Sequence, residues 1–354
     1  MSTRLLICDD SNMARKQVAR SLPDGWDVDI SFATNGAEGI EAIKAGKGDV
    51  LLLDLNMPVM DGYEVLQTIV KEDLPTLTIV ISGDIQPEAH QRVTSLGALD
   101  FIQKPVNKAK LTEILLSYGV FTKEETSNSA QKPEEKRVQD NTETHVEVVH
   151  EAVEFEQLEN DIRDCYQEIA NVAMGRAGDL LARLLNVFVM LPIPNVNLIE
   201  VNEINMALSA VNKETTSGVC QGFISAGISG EALLLLNDSG FKDIAALMDI
   251  EPPQNENEEL ELLMDMGNVL IGACLKGISE QLDISFSQGH PVVLGQHRDV
   301  NDLITTSNKR WKKTLAIEIS YGIENHPIKC DLLLLFTEQS MQTLNNKLAY
   351  LLDE

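Results

Sequence analysis

Two adjacent carboxylates at Asp9-Asp10, a third at Asp54, a hydroxyl at Ser82 and an ammonium at Lys104 are the side chains of this sequence best placed to do chemistry together. Each closes a short apolar run: Leu5 to Cys8, Leu51 to Leu53, Leu77 to Ile81 and Leu99 to Gln103. Crowded carboxylates repel one another, and a hard divalent cation with oxygen ligands relieves that repulsion. Mg2+ suits the task, because it keeps waters and leaves a position for a phosphoryl oxygen. A hydroxyl and an ammonium opposite the cation complete a cradle for a transferred phosphoryl group, whose charge must be neutralised.

The elements that position these groups follow from pattern. Leu51-Leu52-Leu53 is an unalternated apolar run, as a strand covered on both faces requires, and Pro58 with Asp61-Gly62 then forces a loop. Further strands are expected at Leu5 to Cys8, Asp27 to Ala33, Leu77 to Ile81 and Leu99 to Gln103. Helices are expected after Ser11, which can cap one through Ala19, after Asn35-Gly36, over Tyr63 to Val70, over Pro87 to Leu96 and near Ala109 to Leu116. Strict alternation gives an α/β fold over residues 1–121, a five-stranded, doubly wound parallel sheet with right-handed crossovers. In such a sheet ligands sit at the carboxyl ends of the strands, where all five side chains gather.

This pattern resembles the response-regulator receiver domain, the CheY-like fold. The resemblance implies that Asp54 is the phosphoacceptor and that Asp9, Asp10, Asp54 and the Asn56 carbonyl hold Mg2+. It also implies that Ser82 and Lys104 contact the phosphoryl group, and that Phe101 is the aromatic switch that reports phosphorylation to the surface. A histidine kinase is the implied phosphodonor.

The whole chain of 354 residues carries a formal charge of -27, which disfavours nucleic acid and anionic lipid as partners and favours proteins or cations. Cys8, Cys165, Cys220, Cys274 and Cys330 are scattered in apolar contexts without a C-x-x-C pair, the usage of reduced core residues. Met1-Ser2-Thr3-Arg4 lacks a signal-peptide pattern and no apolar stretch reads as transmembrane, so the expected location is cytoplasmic. His90, His145, His150, His290, His297 and His326 show no metal-ligand spacing, and Trp26 and Trp311 read as packing residues.

Residues 122–154 change texture to an acidic linker, flexible at least through Pro133. Val146, Val149 and Val153 recur at i, i+3 and i+7, the spacing of a helix that begins there and runs on. Such a stripe fits a homodimer seam and a helix docked on its own domain equally well.

Residues 155–354 contain an internal duplication. Asp164, Glu168, Asn171 and Pro194 are matched by Glu261, Asp265, Asn268 and Pro291, all at one offset of 97 residues. The runs Glu231 to Leu236 and Asp331 to Leu335 echo each other as well, each followed by a helix. Each half therefore reads as a long helix, strands and a second helix, an α+β unit with a pseudo-two-fold. Within each long helix the two acids and the asparagine fall at i, i+4 and i+7, one polar stripe. Beside it run apolar stripes, Ile162, Cys165, Ile169 and Val172 in the first copy and Leu262, Met266, Val269 and Ala273 in the second. A carboxamide on a rigid helix can accept from and donate to a water and so aim it at a phosphoryl group.

The paired stripe resembles the motif of the CheC, CheX and FliY phosphatases, an acid or serine, three residues, Glu, two residues and Asn, then a fixed gap to proline. By that resemblance Asn171 orients the attacking water and Glu168 bridges to the active-site lysine of a phosphorylated receiver, with Asn268 as a second centre. Asp265, where Glu is usual, departs from the family. Together the halves read as a two-component response regulator whose output is a phosphatase acting on phospho-aspartate, in the chemotaxis style. Of the two substrates open to it, a separate receiver is favoured over Asp54 itself, since a domain that erased its own input at once would transmit little. The alternative is a noncatalytic interaction module of flagellar-switch type, controlled by phosphorylation of Asp54.

Overall fold

The computed structural model describes residues 2–121, 147–200, 215–298 and 313–353. Trp311, Val138, Val146, His145 and most of the expected linker lie outside the described residues. The first 121 residues form β1 (Thr3–Cys8), α1 (Asn12–Arg20), β2 (Val28–Ala33), α2 (Gly36–Lys44), β3 (Val50–Leu53), α3 (Gly62–Glu72), β4 (Leu77–Ser82), α4 (Pro87–Ser95), β5 (Asp100–Gln103) and α5 (Lys108–Ser117). The strands pair in parallel in the order β2-β1-β3-β4-β5.

β3 sits at the centre with all four residues buried, as its unbroken apolar run requires. Leu51, Leu53 and Val80 face one layer of helices, while Val50, Leu52 and Ile79 face the other. Helix starts are fixed by side chains: Ser11 accepts from the Ala14 amide, Asn35 from that of Glu38, and Asp61 forms a capping box with Glu64. Gly62 is obligatory, because a Cβ there would stand 2.3 Å from the Asp54 carbonyl oxygen. That absence lets the chain double back under the phosphoacceptor candidate.

The second sheet is antiparallel and belongs to the other half of the chain. Its elements are α6 (Glu147–Leu185), β6 (Val189–Met190), β7 (Asn195–Glu200), β8 (Thr216–Ser225), β9 (Ile228–Asn237), α7 (Phe241–Leu247), α8 (Glu256–Leu282), β10 (Ser287–Gln288), β11 (Val292–Arg298), β12 (Lys313–Ile323), β13 (Lys329–Thr337) and α9 (Glu338–Asp353). The strand order is β10-β8-β9-β13-β12-β6, with β11 also on β8 and β7 also on β12. In the centre β9 meets β13, Leu233 opposite Leu333 and Leu234 opposite Leu332.

These leucine runs do not alternate because both sheet faces are covered. Leu234 and Leu332 join the main core with α6 and α8, while Leu233, Leu235, Leu333 and Leu335 make a smaller cluster on the other face. Cys165, Ile169 and Val172 on α6, and Leu262, Met266 and Ala273 on α8, are buried as their helical spacing anticipates. One expectation needs correction: α8 is long and apolar enough, by length and composition, to cross a membrane. The reason is packing, since 61% of that apolar window is buried against the rest of the fold.

Candidate active site

β1 delivers Asp9 and Asp10 to the carboxyl edge of the first sheet, β3 delivers Asp54, β4 ends on Ser82, and Lys104 follows β5. Lys104 is the hub. Its Nζ lies 2.8 Å from Asp9 Oδ2 and 3.4 Å from Asp54 Oδ1. The third partner comes from the other sheet's long helix, where Glu168 places Oε1 3.2 Å from the same Nζ. Asp54, Lys104, Glu168 and Asn171 are only 2%, 3%, 4% and 5% exposed, so α6 covers the pocket as a lid. Ser82, fully buried, accepts from the Asp84 amide at 3.1 Å.

Charge in this pocket does not balance. Burial alone would lower the Lys104 pKa, but Asp54, Asp9 and Glu168 outweigh it and hold the ammonium well above the ordinary lysine value. Three carboxylates share that one cation, and the surplus shows. Burial lifts Asp54 to about 6 and Glu168 to about 8 against the pull of Lys104, and lifts Asp10 to about 7. Asp9, Asp10 and Asp54 each offer an oxygen within 4.8 Å of the others. Asp10 Oδ1 and Asp54 Oδ2 are buried without a hydrogen-bond partner among the described residues. Orphaned carboxylate oxygens converging on one point fit a hard divalent cation.

Around the pocket, the two sheets' elements meet through contacts that the sequence did not announce. Asp164 accepts from the Asn12 and Met13 amides at 3.2 and 2.7 Å, capping the free N–H groups at the start of α1. Met13 itself is buried in the core of the second sheet. Gln86 is fully buried and reads β6 as a strand would: its Nε2 donates to the Val189 carbonyl at 2.8 Å and its Oε1 accepts from the Val189 amide at 2.9 Å. Arg92 pairs with Glu324 and lies 3.9 Å over the Phe188 ring. Backbones touch directly at Gly83 and Gly175, where a Cβ on Gly175 would stand 1.9 Å from the Gly83 carbonyl oxygen.

A family profile described as the response regulator receiver domain matches residues 5–116. The chemotaxis protein CheY of Treponema pallidum is 32% identical over 117 residues, 32% of this chain and 81% of that protein. The chain belongs to the response-regulator receiver family. Protein-glutamate methylesterase/protein-glutamine glutaminase 3 of Geobacter sulfurreducens is 42% identical over 113 residues, and the chain spans only 30% of that relative's length. Among solved structures, FliY of Thermotoga maritima aligns with 54% of this chain and 96% of its own at 18% identity, with a TM-score of 0.39.

The receiver thus gathers Asp9, Asp10, Asp54 and Lys104 at one point, with Ser82 at the end of the neighbouring strand. Asn56 sits in the loop after Asp54, half-buried, and Phe101 stands half-buried on β5, edge-on to His90 at 5.6 Å. Of the paired stripes, only Asp164, Glu168 and Asn171 reach the receiver. Glu261, Asp265 and Asn268 are exposed on α8. In the structure the first stripe meets the receiver of its own chain. At that contact Glu168 accepts a hydrogen bond from Lys104, while burial and the neighbouring Asp9 and Asp54 disfavour its charged form.

Proposed function

We propose that the chain is a two-component response regulator, phosphorylated on Asp54 by a histidine kinase, whose second domain is a CheC-like phosphatase that hydrolyses the acyl phosphate of its own receiver. The observation that carries this reading is the Glu168 carboxylate seated 3.2 Å from the Lys104 ammonium inside the receiver pocket. The proposed organisation is a receiver over residues 1–121, an acidic linker over 122–154 and a phosphatase domain over 155–354. In support of an internal pseudo-two-fold, the strand order is the same from either end: a short strand, a long hairpin, the mirror hairpin and a short strand. β7 of the first half crosses to β12, and β11 of the second crosses to β8.

Each residue has a task suited to its chemistry. Glu168 anchors α6 to the receiver by its charge-assisted bond to Lys104. That bond brings Asn171, one turn on, over the pocket, with its carboxamide oxygen free of a partner among the described residues. In this reading the carboxamide holds a water in line with the phosphorus. The water oxygen attacks phosphorus, the bond from phosphorus to the Asp54 oxygen breaks, and inorganic phosphate leaves with the water's protons shared among its oxygens. Ser82 and Lys104 hold the phosphoryl oxygens throughout. Asp9, Asp10, Asp54 and the Asn56 carbonyl would hold Mg2+, which supplies positive charge against the phosphoryl group.

Docking and loading exclude each other. Asp54 is 2% exposed beneath α6, so a phosphodonor reaches it only when the phosphatase domain lifts away. Self-hydrolysis then acts as a timer: the label lasts as long as the open state, and re-docking ends it. The noncatalytic module keeps one observation in its favour, because the Gln86 and Val189 bonds and the Asp164 cap would serve pure docking equally well. Labelling Asp54 and following the label decides between them. Asn171→Ala should lengthen its lifetime by about a hundredfold, the scale of a lost positioning group, whereas an unchanged lifetime leaves only the docking role.

A further inference from the structure

Where the receiver rests on the second half of the chain, the two surfaces do not close completely. Between α3 and α4 on one side and the loop after β6 on the other lies a cavity of 610 Å3. Small-molecule sites span roughly 300–1,000 Å3. Leu55, Met57 and Leu96 wall the cavity from the receiver, and Leu191, Pro192 and Ile193 wall it from the second half. Neither half encloses it alone.

The polar groups on these walls are few and unmatched. Asp84 is only 3% exposed; its Oδ1 accepts from the Gln86 amide and Nε2 at 3.0 and 3.1 Å, and its Oδ2 meets no donor among the described residues. Burial lifts that carboxyl to about 6, so near neutral pH it is a charge held without a counter-charge. The Tyr63 hydroxyl, also on the lining, is buried with no partner, and of the charges around it Asp84 acts on it most strongly. Arg92 is the one cation on the lining among the described residues, and its guanidinium is taken by Glu324. With Asp61 on the lining as well, negative charge is left over. Buried polar groups without partners are costly and call for an explanation.

We propose that this cavity between the two halves binds a small primary amine with an apolar body, its ammonium on Asp84 Oδ2 and Tyr63 Oη and its body between the two apolar walls. An ammonium carries three donors and no acceptor, so it satisfies a carboxylate and a hydroxyl oxygen at once. An acid would add to the surplus charge, and a neutral alcohol would leave Asp84 uncompensated. A ligand that touches both halves binds the docked arrangement alone and shifts the docking equilibrium by the factor 1 + [L]/Kd. The amine is thereby an effector that keeps Asp54 covered. That consequence rests on the reading above, in which docking closes Asp54 to its phosphodonor; the binding does not.

Calorimetry on the full-length chain, with tryptamine and phenethylamine as probes, tests the site. Both should bind with dissociation constants of about 1 mM or tighter, the affinity open to ligands of their size. Indole-3-propionate, which keeps the ring and replaces the amine by an acid, should bind at least about tenfold more weakly than tryptamine. Asp84→Asn should weaken tryptamine at least about tenfold. Because Asp84 also orients Gln86, Tyr63→Phe is the second variant: it removes an oxygen that bonds nothing among the described residues, so thermal unfolding should be no earlier while tryptamine affinity falls several-fold. Gly175→Leu, which parts the two halves, should abolish binding. The proposal is overturned if neither amine binds, if affinity is indifferent to both Asp84→Asn and Tyr63→Phe, if the acid binds as tightly as the amine, or if binding survives Gly175→Leu. At tenfold above its dissociation constant tryptamine should slow labelling of Asp54 by acetyl phosphate about tenfold. Binding without slower labelling refutes the reading in which docking gates Asp54 and leaves the amine site standing.

Discussion

Gly175→Ala adds one methyl group at the tightest point between the two domains, and its consequences can be worked through. The new Cβ would lie 1.9 Å from the Gly83 oxygen, 2.5 Å from the Gly83 carbonyl carbon and 3.1 Å from the Asp84 nitrogen. None of these is the end of a flexible side chain, so helix and loop must separate by roughly 1.3 Å or more to restore ordinary contact. That movement takes Glu168 from 3.2 Å to beyond ion-pair range of Lys104. Overpacking of this kind costs about 1–3 kcal/mol, which falls on the docked state alone. Within α6 the same change gains up to about 1 kcal/mol of helix propensity, so the second half of the chain itself should be no less stable. A loss of about 3 kcal/mol raises the open population by about 150-fold. Labelling of Asp54 by a small phosphodonor such as acetyl phosphate should therefore accelerate steeply, and the label should persist longer. If Gly175→Ala is labelled within twofold of the wild-type rate, the lid over Asp54 is not what limits access, and the reasoning fails.

Other outcomes follow from the same geometry. Glu168→Ala removes the carboxyl that accepts from the Lys104 ammonium, so label loss should slow by about ten- to a hundredfold, the range for a hydrogen bond to a charged group. Asp10→Asn removes one of three converging carboxylates; calorimetry should show Mg2+ affinity falling at least about tenfold. His297 Nδ1 donates to Asp238 at 2.9 Å and its ring faces Glu259, and that hydrogen bond raises its pKa above the ordinary 6.5. A raised histidine stabilises the fold fully below its unfolded pKa and loses that contribution as the pH climbs through the folded value. The melting temperature should thus decline as pH rises above the ordinary histidine range, and His297→Gln should flatten the decline.

The receiver was legible almost entirely from sequence. Its strands are short apolar runs closed by polar residues, and hydrogen bonding within a parallel sheet leaves Asp9, Asp54 and Lys104 no other edge to occupy. The duplication was legible too, since a repeat at one offset is a property of the string itself. Gly272 completes that offset as Gly175 does in the first copy, yet a glycine announces a close approach without saying what approaches. Tertiary structure alone decided which receiver meets α6. That choice depends on Gln86 pairing with Val189 across 103 positions and on Arg92 reaching Glu324 across 232. No periodicity encodes contacts between surfaces so far apart in the chain, because each surface is locally an ordinary solvated helix or loop. The two stripes share an asparagine and a glycine at one offset, yet Glu168 and Asn171 are buried where Asp265 and Asn268 are exposed, because this chain's receiver rests on α6.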